Sequence, residues 1–185
     1  MHVTVRDLLR RISVSQKVTL LMAAMLVIAS VNIGVVFYYQ SQVENDSNAV
    51  DIAGQQRMLT QQMTRYANRI AAGDEEARDP LREAMEKYQS NLDALDSGGT
   101  VGGTDVPAVP DSARDELRTE QEEWASFRAN VEVVLDQDPD TEEFNAALTE
   151  IQANSNGLLA TSDDLVKALS AANSQQISFM QQLLV

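Results

Sequence analysis

The chain has 185 residues, with 28 acidic residues against 14 Lys and Arg, a single His at position 2 and no Cys. Without Cys, disulfide frameworks, thiolate metal sites and Cys nucleophiles are excluded, and one N-terminal His leaves no His-based catalytic or metal site in the body of the chain. A net charge of −14 argues against nucleic-acid binding, because a phosphate backbone selects a basic surface. We therefore expect one domain that is not an enzyme and holds no cofactor or metal.

The N-terminal residues have the charge pattern of a membrane anchor. Basic residues are concentrated in the first 17 positions, and residues 18–39 then carry no charge. About 20 such residues span a bilayer as a helix. The positive-inside rule predicts a cytoplasmic segment over residues 1–17, a transmembrane helix over 18–39 in the cell membrane, and an extracytoplasmic remainder. A cleaved signal peptide is the alternative, but its apolar core is usually only 7–15 residues long.

Four amphipathic helical segments follow the anchor, and they begin near residues 40, 79, 111 and 140. In the second segment the apolar residues are spaced by 4-3-4-3, which is the spacing of a helix–helix seam: Leu81, Met85, Tyr88, Leu92 and Leu95. Short connections between such helices predict an all-α fold, an antiparallel up-down-up-down four-helix bundle over residues 40–178 that continues the transmembrane helix. The Gly- and Pro-rich residues 97–110 are expected to form a loop without strands.

Sequence signals also predict where individual helices begin and where the chain returns to the membrane. Asp79 and Pro80 suit the N-cap and first position of the second helix, and Asp140 with Glu143 forms a capping box for the fourth. The lengths of the first three helices, at 1.5 Å per residue, predict how far the chain stands above the membrane when the fourth helix begins. The fourth helix should then return to the bilayer near its apolar C-terminal end. We therefore expect residues 179–185 to begin a second transmembrane helix of a longer receptor.

Residues 48–70 of the first helical segment have two different faces. One face is apolar and would enter the bundle core: Ile52, Leu59, Met63, Tyr66 and Ile70. The opposite face combines small residues and amides with one cation: Val50, Gly54, Arg57, Gln61, Thr64 and Asn68. This composition favours a close contact between two subunits, in which each Arg57 meets its symmetry mate. Facing guanidinium groups repel unless an anion lies between them, so this position is a candidate anion site. The alternative is that Arg57 is solvated or paired with a nearby acid.

Residues 53–61, with the sequence AGQQRMLTQ, resemble the AGxQRMLSQ signature of the N-terminal domains of type IV pili chemotaxis transducers (PilJ-type). They also resemble the P-box of NarX-like nitrate sensors, with which they share the AGxxRM core. This resemblance implies a periplasmic or extracellular four-helix sensor that is dimeric across its first helix. In nitrate-sensing members the arginine that corresponds to Arg57 binds the anion from both subunits. The candidate ligand-binding residues are therefore Arg57, Gly54, Ala53, Val50, Met58 and Gln61.

Asp51 departs from the nitrate-sensor pattern, because the P-box usually has Asn at this position. A carboxylate here would weaken anion binding or pair with an arginine across the dimer. The resemblance thus predicts a homodimeric sensor domain of a signal transducer, either a chemotaxis transducer or a two-component sensor kinase, with nitrate or nitrite as a candidate ligand. The alternative function is a non-sensing structural module, a helical stalk that contacts pilus-type partners.

Overall fold

The structure, a computed structural model, describes the backbone of residues 13–183 and the side chains of residues 13–37 and 47–175. The predicted cytoplasmic segment up to residue 12 and the side chains of the predicted second span therefore lie outside the described residues. The described part consists of helices and one short two-stranded ribbon, joined by turns and loops. The chain divides into two compact units, residues 1–42 and 43–185.

The first unit contains the N-terminal part of helix α1, which runs from Val14 to Ala71 without a break. Its residues Val14–Phe37 form a helix that is long and apolar enough to cross a membrane. All described side chains of this stretch are exposed, as expected for a surface that is solvated by lipid rather than by protein. The predicted apolar helix is therefore confirmed, while its orientation in a membrane stays a prediction.

Helix α1 ends at the predicted place, before Gly73. The Gly73 N–H donates to the Ile70 oxygen at 2.9 Å and the Asp74 N–H to the Arg69 oxygen at 3.0 Å. These two bonds form a Schellman cap, which needs a residue with positive φ at its centre. Gly73, with φ of 90°, provides that conformation without a Cβ penalty.

Helix α2 covers Arg78–Ser97 and α3 covers Arg114–Asp136, and each follows a short 3-10 turn, at Glu75–Ala77 and Asp111–Ala113. The predicted N-cap at Asp79 is wrong, because α2 follows the 3-10 turn and begins at Arg78, two residues before the predicted first position Pro80. Asp79 instead accepts a bond from Arg82 at 3.0 Å. The ends of α2 and α3 are tied together. Arg78 donates to the Val134 oxygen at 2.7 Å, and Arg114 donates to Asp96 at 2.7 Å.

The connection between α2 and α3 contains a β-hairpin, so the expectation of a loop without strands is wrong. Strand β1 (Gly99–Val101) pairs antiparallel with β2 (Thr104–Val106). Gly102 and Gly103 between them have φ of 58° and 85°. Two successive positive φ values define the tight turn that matches the twist of a hairpin, and Gly-Gly adopts it readily.

Helix α4 covers Glu142–Leu183. The predicted capping box at Asp140 is wrong by one residue, because the Thr141 hydroxyl accepts the bond from the Phe144 N–H at 3.3 Å. The same hydroxyl donates to the Asp138 oxygen at 2.7 Å, which holds it at the helix start.

One hydrophobic core in the second unit draws side chains from all four helices. The predicted seam of α2 is confirmed, since its members are buried except for the half-buried Met85. Each fully buried large apolar side chain stabilises such a core by about 1.5–3 kcal/mol. The largest ones outside α2 are Leu59, Met63, Ile70, Leu117, Phe127, Phe144, Ile151 and Leu158. The helical class is confirmed, and the antiparallel order of the helices stays a prediction at this stage.

Candidate functional site

Five of the six candidate ligand-binding residues lie together on the outer side of α1. Arg57, Met58 and Gln61 are exposed, whereas Val50 and Gly54 are half-buried. We call these five residues the Arg57 face. Ala53, the sixth candidate, is fully buried in the core of its own chain. Its side chain is thus turned away from the Arg57 face, where the resemblance had suggested a role.

Within one chain, Arg57 forms an ion pair with a residue of α4. Its Nη1 lies 3.2 Å from Oδ1 of Asp163, and both side chains keep substantial exposure, 53% and 38%. Asp163 also accepts a contact from Lys167 Nζ at 2.9 Å, and Lys167 reaches Asp164 at 3.0 Å. The alternative that Arg57 pairs with a nearby acid therefore describes the single chain. That acid comes from α4, whereas Asp51 is exposed and makes no ion pair with Arg57.

Arg57, Asp163, Lys167 and Asp164 form a cluster of ion pairs on the surface, and Asp163 and Lys167 stabilise each other's charged forms. The hydrogen bond and charge of Lys167, and to a smaller extent the charge of Arg57, lower the pKa of Asp163. In return, the Asp163 carboxylate, with Asp164, raises the pKa of Lys167. Both shifts favour the charged forms of Asp163 and Lys167, but exposed ion pairs hold their partners weakly. The Arg57–Asp163 contact is therefore a weak ion pair.

Packing within the chain does not explain why residue 54 is a glycine. A Cβ built at this position would meet no atom within 4 Å. Glycine inside a helix costs about 0.5–1 kcal/mol relative to alanine, and here no intrachain contact offsets that cost. Next to it in space on the same helix side, Met58 leaves 47% of its surface exposed. The shape of the Arg57 face suits the close approach of another molecule.

A second polar region lies inside the core and was missed by the sequence reasoning. Side chains from all four helices form one connected group, which we call the polar core layer: Gln56, Thr60, Tyr88, Asn91, Glu120 and Ser162. Each of them is 0% exposed. A signal was present in the sequence, because the apolar seam of α3 skips a position between Leu117 and Trp124, and that position is Glu120.

Glu120 is the centre of the polar core layer. Its Oε1 accepts hydrogen bonds from the hydroxyls of Tyr88 and Ser162, both at 2.7 Å. Its Oε2 is buried and has no hydrogen-bond partner among the described residues. Burial raises the pKa of Glu120, and the two hydroxyl donors offset only part of that rise. A neutral carboxyl group costs less to bury here than a carboxylate, with Oε1 as the acceptor of both hydroxyl bonds.

The other members of the layer extend the network to α1 and α2. Gln56 Nε2 donates to the backbone oxygen of Tyr88 at 3.2 Å, and Asn91 Nδ2 donates to Gln56 Oε1 at 3.4 Å. The Thr60 hydroxyl donates to the Gln56 oxygen at 2.9 Å. Burial, followed by the charge of Glu120, raises the pKa of the Tyr88 phenol far above its usual range, so Tyr88 stays a hydrogen-bond donor.

The sole tryptophan of the chain stands beside this layer. The Trp124 ring stacks on Tyr88 with 4.0 Å between ring centroids and 20° between the ring planes. Its Nε1 donates to Gln89 Oε1 at 2.8 Å, and Arg128 donates to the same oxygen at 3.1 Å. Because its environment depends on Tyr88, Trp124 is a natural optical reporter of the layer.

An apolar helix followed by an all-helical domain is compatible with the general class of membrane-anchored helical signalling domains. The sequence pattern of one family, the N-terminal region of type IV pili methyl-accepting chemotaxis transducers (PilJ), matches residues 38–150, which is more than half of the chain. The chain belongs to this family. The match contains the AGQQRMLTQ motif and Glu120, while Asp163 lies beyond it. Neither a curated protein nor a solved structure matches the chain.

Proposed function

We propose that the chain is the sensor region of a membrane-anchored chemotaxis transducer, with its N-terminus in the cytoplasm and its helical domain outside. The observation that carries this proposal is the match to the N-terminal region of chemotaxis transducers directly after an apolar helix. The excess of basic residues before that helix supports the orientation. The family is one of chemotaxis transducers, which favours that output over a two-component sensor kinase.

We also propose the antiparallel up-down-up-down order for the four helices. Contacts between α1 and α4 advance in opposite directions along the two helices: Asn68 with Gln152 at 2.6 Å, and Arg57 with Asp163 at 3.2 Å. The tied ends of α2 and α3 support the same relation for that pair. An antiparallel order would bring the C-terminal part of α4 back toward the level at which α1 enters the domain.

Two copies of the chain would associate through the Arg57 face. The open space at Gly54 and the exposed Met58 support a close helix–helix contact there. Near a two-fold axis each Arg57 approaches its mate, and a small anion such as nitrate or nitrite would bridge the two guanidinium groups. The anion would have to displace Asp163 from Arg57, which the weak hold of an exposed ion pair permits.

Single cysteines test the dimer cleanly, because the native chain has none. In the full chain in lipid vesicles, Met58→Cys on the Arg57 face should form disulfide-linked dimers on mild oxidation. Ala129→Cys, at an exposed position of α3, is the matched control and should stay monomeric. Equal cross-linking at both positions, or none at Met58→Cys, would contradict the proposed interface.

Calorimetry of the full chain in micelles tests the anion site with sodium nitrate, nitrite and chloride. We expect heat of binding for nitrate or nitrite in the native chain and none in Arg57→Ala. Equal heats in both proteins would rule out Arg57 as the anion-binding group. Nitrate and nitrite are the probes because the resemblance to nitrate sensors suggests them.

The second candidate function is a non-sensing structural module that contacts pilus-type partners. One observation favours it: within the single chain Arg57 already has a counter-ion, Asp163. This function predicts cross-linking through Met58→Cys without anion binding. The two experiments together therefore distinguish a dimeric sensor from a dimeric stalk.

A further inference from the structure

We propose that the polar core layer is a proton-binding site, with Glu120 as its titrating group, through which the pH of the surrounding solution biases the packing of all four helices. This input goes beyond the proposed anion site and does not depend on it. Its elements are a buried carboxyl group, two hydroxyl donors on one of its oxygens, and contacts that reach every helix of the domain.

Among the described residues around Glu120, no cation balances a negative charge. On α2 the titratable group in contact with it is Tyr88, which donates a neutral hydrogen bond at 2.7 Å. From α4 it meets Ser162, and the neighbouring charged residue, Asp163, is turned to the surface and paired there. Among the described residues, no basic side chain forms an ion pair with Glu120.

The remaining neighbours add no cation either. Helix α1 contributes the uncharged Gln56 and Thr60, which contact Tyr88 rather than Glu120 itself. On α3 itself, Glu116 lies one turn before Glu120 and is half-buried, while Glu123 on the following turn is exposed. Both are acids, so neither supplies a positive charge to Glu120.

Loss of the proton would therefore destabilise the closed layer. An ionised carboxylate needs several donors or water, and here two hydroxyls reach one oxygen while Oε2 has no partner. The layer gains the missing solvation when α3 separates from α2 and α4. Because Gln56 belongs to α1, such a rearrangement would act on a helix that also contains the candidate membrane span.

The sign of the effect follows from linkage. The carboxyl group has an ordinary pKa near 4.5, and burial raises its pKa in the closed layer. The closed layer thus keeps its full stability below about pH 4.5 and loses it as the pH rises toward the raised pKa. In that interval the equilibrium constant for opening increases up to about tenfold per pH unit.

Trp124 and amide hydrogen exchange report this equilibrium in the full chain in detergent micelles. We expect the emission of Trp124 to follow a one-proton transition above the ordinary carboxyl range. We expect exchange in α2 and α3 around Tyr88 and Glu120 to accelerate with pH relative to Glu120→Gln at the same pH. Glu120→Gln keeps the neutral shape, so its Trp124 emission should show no transition.

Two further variants make the test specific. Glu122→Gln removes an exposed carboxyl group from the same helix and should leave the transition in place. Ser162→Ala removes the stronger of the two donors that hold the pKa of Glu120 down, so the transition should move to higher pH, and this variant serves if Glu120→Gln fails to fold. A transition that persists unchanged in Glu120→Gln, that is insensitive to Ser162→Ala, or that is absent from the native chain would overturn the proposal.

Discussion

Two neighbouring residues of α1 belong to regions with opposite electrostatic environments, one exposed to water and one buried. Arg57 points to the surface, where it shares Asp163 with Lys167 in reach of water. Gln56, one position earlier, enters the polar core layer, in which Glu120 is sealed among four helices. The Arg57 face holds one charged partner, Asp163, in an exposed ion pair, whereas the polar core layer holds one buried carboxyl group, Glu120, with two defined hydroxyl donors.

This difference separates the two proposed inputs. Water screens the Arg57–Asp163 pair, so the proposed anion would replace Asp163 without disturbing the helices. The layer has no such screening, so the protonation of Glu120 and the packing of the helices change together. A surface charge is thus suited to exchange partners, and a buried one is suited to couple its own state to the fold.

The largest expected effect comes from removing the aromatic ring that joins the layer to the core. Tyr88→Ala should lower the free energy of unfolding by about 3–5 kcal/mol, because a fully buried aromatic side chain leaves a cavity. Lys87→Ala, at the exposed neighbouring position, should change it by at most about 0.5 kcal/mol. Denaturant unfolding followed by circular dichroism measures both. Similar effects of the two variants would show that the layer is not part of the rigid core.

The next effect concerns pH. Because burial raises the pKa of Glu120, the native chain should lose stability as the pH rises above about 4.5, by up to about 1.4 kcal/mol per unit until the raised pKa is reached. The measurement is the denaturant midpoint of the native chain minus that of Glu120→Gln across the same pH range. Subtraction removes the opposite contribution of surface acids such as Asp163, whose pKa is lowered. A constant difference would contradict a neutral carboxyl group in the core.

Sequence reasoning predicted the features that depend on local or periodic patterns. The apolar helix, the end of α1 before Gly73 and the buried seam of α2 follow from charge-free length, turn chemistry and 4-3 spacing. Sequence reasoning failed for elements of only a few residues, because so short a pattern does not distinguish a strand from a loop. The hairpin strands have three residues each, too few for an alternation to be visible, and the turn Gly102-Gly103 was the only cue.

The candidate site was only partly predictable for a different reason. Arg57 was identified from its motif, but its partner Asp163 is distant in the sequence and becomes a neighbour only when α1 packs against α4. Ala53 belongs to the same motif, yet it lies one helical step of 100° from Gly54, and this step turns its side chain into the core. Glu120 was overlooked because a pattern of apolar residues treats every acid as a surface residue.

A third prediction separates the fold of one chain from its association. Gly54→Ala should stabilise the single chain by about 0.5–1 kcal/mol, since the new Cβ meets no atom within 4 Å. In the Met58→Cys background, the same methyl group should reduce disulfide-linked dimers, because it holds the partner helix away. Gly157→Ala on α4 is the matched control, since its Cβ would make only ordinary contact, 3.7 Å from Glu123. Equal cross-linking in both variants would mean that Gly54 does not lie in an interface.

The smallest expected effect tests how loosely the Arg57 face holds its counter-ion. Asp163→Asn removes the carboxylate that competes for Arg57, and nitrate or nitrite should then bind roughly twofold more tightly, which is the scale of an exposed ion pair. Asp164→Asn removes the same charge from the next residue, which contacts Lys167 but not Arg57, and accounts for the change in net charge. The gain should shrink as salt is added, since screening weakens the competitor as well. If both variants raise the affinity equally, Asp163 acts only through the overall field, and the Arg57 pair has no part in selecting the ligand.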